Sequence, residues 1–155
     1  MQTDDGVYFG HMLDTARQLA AMLDGSTRAA FDEDLSDRAL RVLRGGYSIH
    51  APDFLLLEMD SIFCKRIRRG DITRADGDDA RRILRQLPIE QHAFTAYRDT
   101  AYEIASLTGQ SVYYCLYVAL AAIIKGKMAT ADRRFYDALQ NGTFKKHLVW
   151  IGDIK

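Results

Sequence analysis

The chain has 155 residues, 48% hydrophobic and 27% charged, which is typical of one folded globular domain and excludes a disordered protein. Lys plus Arg and Asp plus Glu each total 21, so overall charge favours neither a nucleic acid nor a membrane as partner. The longest apolar run, residues 112–124, is too short to span a bilayer, and acidic residues interrupt the N-terminus where a secretory signal would be apolar.

The N-terminal region has two interpretations. Residues 1–18 do not join the pattern that follows and are interpreted as an N-terminal extension, partly a cloning-site remnant. Residues 19–23 fit a helix by local propensity, but they also fit a short first strand that leads into a turn at Asp24. The second interpretation places the folded domain at residues 19–155. A helix capped by Asp34 or Ser36 and running to Leu43 is predicted next, because Gly45 and Gly46 would end it.

The strongest helix signal lies in residues 51–70, after a short strand predicted at residues 47–51. Pro52 fits the first turn of a helix, and no helix breaker follows until Gly70. By helical spacing, Glu58 falls on the apolar side of this helix. A lone carboxylate there is costly unless it is hydrogen-bonded, paired or bound to a cation. Glu58 therefore lies either at the edge of the buried face or in a cleft, as a functional acid.

Capping residues and helix breakers divide the rest of the chain into short elements. Thr73 and Asp76 begin a helix that Pro88 ends. Asp132 follows a predicted strand and is a candidate N-cap of the last helix. The further strands are predicted at residues 89–94, 127–131 and 147–151, and the further helices at residues 95–107, 111–124 and 133–141.

Alternating strands and helices predict an α/β fold with a parallel sheet covered by helices on both faces. Polar residues just beyond the carboxyl ends of such strands gather in one crevice. Asp24 and Asp132 are predicted there, with Glu58 one helix away. A signalling receiver domain would also gather acids, but Asp24 has no acidic neighbour, and Gly152 and Asp153, instead of a Lys, follow the last strand.

The cysteines and histidines do not have the spacing of common metal sites. Cys64 and Cys115 form no CxxC motif and lie in helical, apolar contexts, which predicts two buried, reduced thiols in a cytoplasmic protein. The histidines show no pattern typical of zinc ligands, so no zinc site is predicted. They are His11, His50, His92 and His147.

Five short segments occur in a characteristic order along the chain. They are LDGS at residues 23–26, APDFLLLE at 51–58, KRIRRGDIT at 65–73, SVYYCLYVALA at 111–121 and TADRRFYDAL at 130–139. Together they resemble the PIN-domain ribonucleases of the VapC toxin type, and the resemblance covers residues 19–154. It implies a PIN-like three-layer α/β/α domain with a short, mostly parallel central sheet.

The resemblance also implies an acidic metal site. Four acids in that family converge on Mg²⁺ or Mn²⁺, and Asp24, Glu58 and Asp132 correspond to the first, second and fourth of them. Tyr114 stands at the third position, where the family has an Asp. Because a phenol is neutral at pH 7 and a poor Mg²⁺ ligand, the site would bind metal more weakly. Tyr114 also has a simple structural interpretation, as a packing residue in an aromatic helix.

Clustered carboxylates hold a hard divalent cation, which can activate water for phosphodiester hydrolysis. The resemblance therefore implies a metal-dependent endoribonuclease, the toxin of a type II toxin–antitoxin system. Its implied partners are an RNA substrate, a VapB-type antitoxin and a second copy in a homodimer, in the cytoplasm and without a membrane. The candidates for contact with RNA phosphates are Lys65, Arg68, Arg69, Arg133 and Arg134.

Tyr114 separates this hypothesis from a second one. If the missing carboxylate impairs catalysis, the chain would be a PIN domain that acts as an antitoxin- or RNA-binding module. Metal binding and RNA cleavage that appear only after Tyr114→Asp would favour this second hypothesis.

Overall fold

The computed structural model describes residues 7–9 and 46–154. In this part of the chain, five strands form one sheet with five α-helices around it. The strands are β1 (Val7–Phe9), β2 (Ile49–Pro52), β3 (Ile89–His92), β4 (Lys127–Thr130) and β5 (Leu148–Trp150). The helices are α1 (Leu55–Arg69), α2 (Arg74–Gln86), α3 (Arg98–Thr108), α4 (Val112–Ile123) and α5 (Arg133–Leu139).

The sheet has the order β3-β2-β1-β4-β5, and each neighbouring pair of strands is parallel. Its central strand, β1, lies within the segment that the sequence pattern assigns to an N-terminal extension. Val, Tyr and Phe favour extended structure, which explains why this tripeptide forms a strand. The expected boundary at residue 19 therefore does not mark the beginning of the sheet. Residues 19–23, Asp24 and residues 36–43 lie outside the described residues.

Two hydrophobic clusters cover the faces of the sheet, which confirms the predicted α/β/α arrangement. On one face, Ile49 and Ala51 of β2 pack with buried residues of α1 and α2. On the other face, Met128 of β4 packs with buried residues of α3, α4 and α5. Every residue of α4 from Cys115 to Ala121 is buried, because this helix lies between the sheet and α3. Side chains alternate between the two faces along each strand.

Two predicted helix boundaries are wrong. Pro52 does not begin α1: it is the last residue of β2 and pairs with His92, and α1 begins at Leu55. Thr95 does not cap α3, because residues Phe94–Ala96 form a short 3-10 helix and Tyr97 precedes α3. In both places, residues that local propensity assigns to a helix form the end of a strand or a tight turn.

Three local predictions are confirmed. Gly70 ends α1 with a left-handed φ of 75°, which glycine adopts without steric cost. Thr73 and Asp76 form a reciprocal capping box at the start of α2. Asp132 is the N-cap of α5.

The two cysteines differ in exposure. Both are free thiols; Cys115 is buried as predicted, but Cys64 is exposed, so the prediction of a buried thiol is wrong there. Cys64 lies beside Lys65 and Arg68 on the solvent side of α1, whereas Met59 and Phe63 form its buried side.

No single helix in the described ranges has the length and apolar character needed to cross a membrane; α3 and α4 meet that criterion only as a pair bent by 117°.

Candidate active site

Glu58 lies in the first turn of α1, at the wall of a cavity of about 490 Å³. Its side chain is half-buried, as its position at the edge of the apolar stripe predicts. The other lining residues are mostly aromatic or aliphatic: Phe54, Leu57, Ser61, Ile62, Phe94, Tyr113, Tyr114, Leu116 and Tyr117. A carboxylate therefore faces a largely apolar cavity.

Tyr117 of α4 holds this carboxylate. Its hydroxyl donates a hydrogen bond of 2.6 Å to Glu58 Oε2. Burial raises the pKa of Glu58 above its usual value, and the hydrogen bond from Tyr117 offsets part of that increase. Burial, together with the Glu58 charge, raises the pKa of Tyr117 far above its usual value, so the phenol keeps its proton and remains a donor. Tyr117 thus fixes the orientation of Glu58.

Tyr114 lines the same cavity as Glu58. The α-helical spacing from Tyr114 to Tyr117 places both rings toward one side of α4. The ring of Tyr114 also packs edge-on against Phe135 of α5, with 5.1 Å between ring centroids. The structure therefore places Tyr114, the residue that the sequence resemblance assigns to a third acidic position, at the cavity that Glu58 lines.

Asp132 caps the helix that carries Phe135. Its Oδ1 accepts a hydrogen bond of 3.0 Å from the Phe135 backbone N–H, and its own N–H donates to Thr130 Oγ1 at 3.1 Å. Asp132 does not appear among the cavity-lining residues of the described chain. Phe135 also packs against Tyr114, so Asp132 and Tyr114 both contact the first turn of α5. Asp132 therefore acts as the N-cap of α5, as its position in the sequence predicts.

The first acidic position has no counterpart on the described first strand. Asp24 lies outside the described residues, and β1 contains Val7, Tyr8 and Phe9, with Gly10 next in the sequence. The first Asp after this strand is Asp14. The described residues of β1 therefore contribute no acid to the ends of the central strands.

The candidate RNA-binding residues fall into two groups. Lys65, Arg68 and Arg69 are exposed on the last turns of α1, and Lys65 and Arg69 continue the helical stripe of Glu58. Arg133 pairs with Asp137 at 3.0 Å, and its guanidinium lies over the Tyr136 and Trp150 rings. Arg134 is exposed beside it. Within the described ranges, Arg133 alone of the five forms an ion pair.

Sequence reasoning missed two features. Tyr117 is one helical turn from Tyr114, and this spacing is the signal that would have placed it at the same cavity. His50, Glu90 and His92 also come together, with one ligand atom from each within 4.8 Å of the others. The sequence shows Glu90 and His92 two residues apart on a predicted strand. It does not show that His50 pairs with Glu90 on the neighbouring strand.

Comparison with known proteins agrees with the fold. No family model matches the chain. Ribonuclease VapC3 from Pyrobaculum aerophilum is 30% identical over 120 residues, a match that covers 73% of this chain and 89% of the relative. The similarity therefore extends over most of both proteins, and the parallel sheet with helices on both faces is consistent with it. The chain belongs to the VapC family, whose PIN-like α/β/α fold it shares.

Proposed function

We propose that the chain is a metal-dependent endoribonuclease, the toxin of a type II toxin–antitoxin system. Membership of the VapC family supports the reaction class, because the relative carries the name of a ribonuclease. The observation that carries the proposal is Glu58, a carboxylate held by Tyr117 in a mostly apolar cavity, where burial raises its pKa. Such a group is costly to ionise unless a cation compensates for its lost hydration.

The donor set suits Mg²⁺ or Mn²⁺. Glu58 and Asp132 offer carboxylate oxygens, which hard divalent cations prefer, and we assign Asp24 as the third acid. Among the described residues, Glu58 Oε2 accepts from Tyr117 while Oε1 accepts no hydrogen bond, so one oxygen of this carboxylate is available to a cation. When bound, the cation would lower the pKa of a water and polarise a phosphoryl oxygen.

The chain's own residues would then orient the reactants. Glu58 would hold the cation or the attacking water, and Tyr117 would keep the carboxylate in place. Lys65 and Arg69, which continue the helical stripe of Glu58, and the neighbouring Arg68 would contact RNA phosphates. We assign a smaller share to Arg133, because Asp137 and two aromatic rings already hold its guanidinium.

A second candidate function is a catalytically impaired PIN domain that acts as an antitoxin- or RNA-binding module. Two observations favour it. Tyr114, which lines the cavity, has a phenol at the position where the resemblance implies an acid, and β1 has no acid within it. With fewer carboxylates, the site would attract a divalent cation less strongly.

Metal titration and RNA cleavage test the two proposals together. We expect Mn²⁺ to bind the EDTA-treated protein and to activate cleavage of a labelled RNA. Because each acid would act at the reacting centre, Glu58→Gln, Asp132→Asn and Asp24→Asn should each lower cleavage by roughly 100-fold or more. Glu103→Gln, an exposed carboxylate on α3, is the matched control.

Tyr114→Asp distinguishes the active enzyme from the impaired one. If the wild type neither binds Mn²⁺ nor cleaves RNA and Tyr114→Asp gains both, the chain is the impaired binding module. Tyr114→Phe keeps the ring against Phe135 and shows whether loss of packing alone changes the result. If metal binding and RNA cleavage survive Glu58→Gln, both the metal-binding role and the catalytic role assigned to Glu58 would be contradicted.

We further infer that the chain acts in the cytoplasm, binds a VapB-type antitoxin and forms a homodimer. Membership of the VapC family supports the antitoxin and the homodimer as partners. We infer the cytoplasm as the location because the proposed substrate is RNA. Light scattering of the purified chain tests the dimer. Co-purification with the product of an adjacent antitoxin gene tests the complex, and failure of that product to suppress RNA cleavage would contradict it.

A further inference from the structure

Three potential metal ligands meet on strands β2 and β3, apart from the acidic site. In the parallel register, His50 of β2 lies opposite Glu90 of β3, and Pro52 lies opposite His92. Residues two apart on a strand project to the same face, so His92 joins Glu90 on the side of His50. Strand β3 is at the edge of the sheet, which leaves Glu90 exposed to solvent.

The ligand atoms are close to the separations that a tetrahedral ion requires. His50 Nδ1 is 2.8 Å from His92 Nε2 and 3.6 Å from Glu90 Oε2, and His92 Nε2 is 3.6 Å from Glu90 Oε1. A tetrahedral zinc with Zn–N bonds of about 2.0–2.1 Å holds its ligand atoms roughly 3.3–3.4 Å apart. Small movements of the side chains would therefore admit an ion between them.

The backbone that carries the ligands is fixed by hydrogen bonds. The Tyr97 hydroxyl donates to the His92 carbonyl oxygen at 3.2 Å, and the Asp53 backbone N–H donates to the same oxygen at 2.9 Å. The two imidazole side chains are 15% and 24% exposed, which limits their motion, while the Glu90 carboxylate is 67% exposed and can adjust. The cluster therefore combines two positioned nitrogens with one adaptable oxygen, and it is open to solvent on the side of Glu90.

We propose that His50, Glu90 and His92 bind Zn²⁺, with the fourth coordination position open to water. Two imidazoles and one carboxylate are a ligand set that zinc uses in proteins, whereas Mg²⁺ prefers oxygen donors alone. His50 Nδ1 and His92 Nε2, which lie 2.8 Å apart, would each present a lone pair to the ion. This site differs in chemistry from the acid cavity of Glu58.

Zinc at this site would join the edge strand to the sheet beside the acid cavity. Strands β2 and β3 lead directly into Phe54 and Phe94, which both line that cavity. Asp53 links the two connections, because its Oδ1 accepts a hydrogen bond from the Phe94 backbone N–H at 3.2 Å. The bound ion would thus hold in place the two segments that form one wall of the cavity.

Zinc titration of the untagged, EDTA-treated full chain tests the proposal. We expect one equivalent of Zn²⁺ to bind and to raise the melting temperature, because an ion bound only by the folded chain stabilises it. Co²⁺ should give the visible absorption of a tetrahedral nitrogen–oxygen site. Excess Mg²⁺ should not displace either ion.

Variants of each ligand identify the site. His92→Gln and Glu90→Gln should weaken Zn²⁺ binding by more than the roughly 10–100-fold that loss of an outer-shell partner costs. Glu90 is exposed, so its substitution leaves the fold intact and keeps the test valid if the histidine variant is unstable. The matched controls are Glu103→Gln, also exposed, and His147→Gln, a histidine whose Nδ1 contacts the Gly126 carbonyl oxygen.

Three results would overturn the proposal. Wild-type Zn²⁺ affinity in both His92→Gln and Glu90→Gln would place the ion elsewhere. Loss of the bound equivalent in Glu58→Gln, with retention in His92→Gln, would assign it to the acid cavity. No binding of Zn²⁺ or Co²⁺ to the wild type at micromolar concentrations would remove the site altogether.

Discussion

At the scale of single residues, Glu58 shows a conflict between stability and the proposed chemistry. Its carboxylate is withdrawn from water at the cavity wall and receives a hydrogen bond from Tyr117. Burial is the larger effect, because the pKa of Glu58 is raised in spite of that hydrogen bond. The folded protein therefore holds the Glu58 proton more tightly than the unfolded chain does.

This raised pKa predicts how Glu58→Gln changes stability with pH. Above the unfolded value of 4.5, the unfolded chain releases the Glu58 proton before the folded protein does, so this group makes stability fall as pH rises. Its destabilising effect is complete above the raised folded pKa. In EDTA, the stability advantage of Glu58→Gln over the wild type should therefore grow from pH about 4 to about 8.

Urea denaturation at each pH measures this difference. Glu103→Gln removes an exposed carboxylate and should give a difference that changes little with pH. An advantage of Glu58→Gln that shrinks toward neutral pH would contradict the assigned burial of the carboxylate. Saturating Mn²⁺ should reverse the order by stabilising the wild type alone, if the ion binds Glu58.

The residue scale also separates what sequence can predict from what it cannot. Helical spacing placed Glu58 at the edge of the apolar stripe, because that property depends on neighbours in one helix. Its partner Tyr117 is 59 residues away and belongs to another helix, and His50 and His92 are 42 residues apart. Contacts of this kind depend on the tertiary arrangement, which local spacing does not determine.

At the scale of elements, the ends of helix α1 illustrate the same division. Gly70 ends the helix by a property of its own backbone, and sequence alone identified it. The beginning of α1 was misplaced because Pro52 pairs with His92 across two strands. Where a helix begins cannot be located from local sequence when sheet pairing decides it, because the pairing residue is about forty residues away. Local breakers are therefore more informative than the first helical residues.

Gly70→Ala tests the local account of the helix end. Gly70 has φ 75°, and a Cβ added there would meet nothing within 4 Å, so the cost is purely conformational. We expect Gly70→Ala to lower the free energy of unfolding by about 1–2 kcal/mol, the cost of a left-handed alanine. Gly70→Asn should cost less, because Asn tolerates this conformation.

Chemical denaturation of the three proteins gives these free energies, and RNA cleavage should not change. Gly109 ends α3 with φ 70° and also has open space around its Cβ position, so Gly109→Ala should reproduce the effect. Equal stability of Gly70→Ala and the wild type would show that the turn can relax without a positive φ. A loss much larger than that of Gly109→Ala would point to a contact that the geometry does not show.

At the scale of elements, the strand β1 was missed, because it lies in the segment that was assigned to an N-terminal extension. Val7–Phe9 is only 3 residues long, and so short a run is not distinguishable from a loop by its pattern. It becomes a strand because it pairs with β2 on one side and β4 on the other. The overall α/β class was predicted correctly, because it rests on several alternating elements and not on any single one.

At the scale of the whole molecule, a net charge of zero conceals an uneven distribution. On α2, Arg81 is paired with Asp60 at 2.6 Å and Arg82 with Asp79 at 2.9 Å. On α1, Lys65, Arg68 and Arg69 form no ion pair within the described ranges, so their positive charge is available to a partner. The end of α1 is therefore the better candidate for contact with phosphates.

The salt dependence of RNA binding tests this distribution. If Arg68 and Arg69 each neutralise one phosphate of single-stranded RNA, Arg68→Ala/Arg69→Ala should reduce the slope of log affinity against log salt by roughly 1.4. Fluorescence anisotropy of a labelled RNA, in EDTA to prevent cleavage, measures that slope. Arg81→Ala/Arg82→Ala removes equal charge from α2 and should leave the slope nearly unchanged, because Arg81 is already paired with Asp60 and Arg82 with Asp79. Equal slopes for the two double variants would mean that RNA is attracted by overall charge, and the phosphate contacts assigned to α1 would then be wrong.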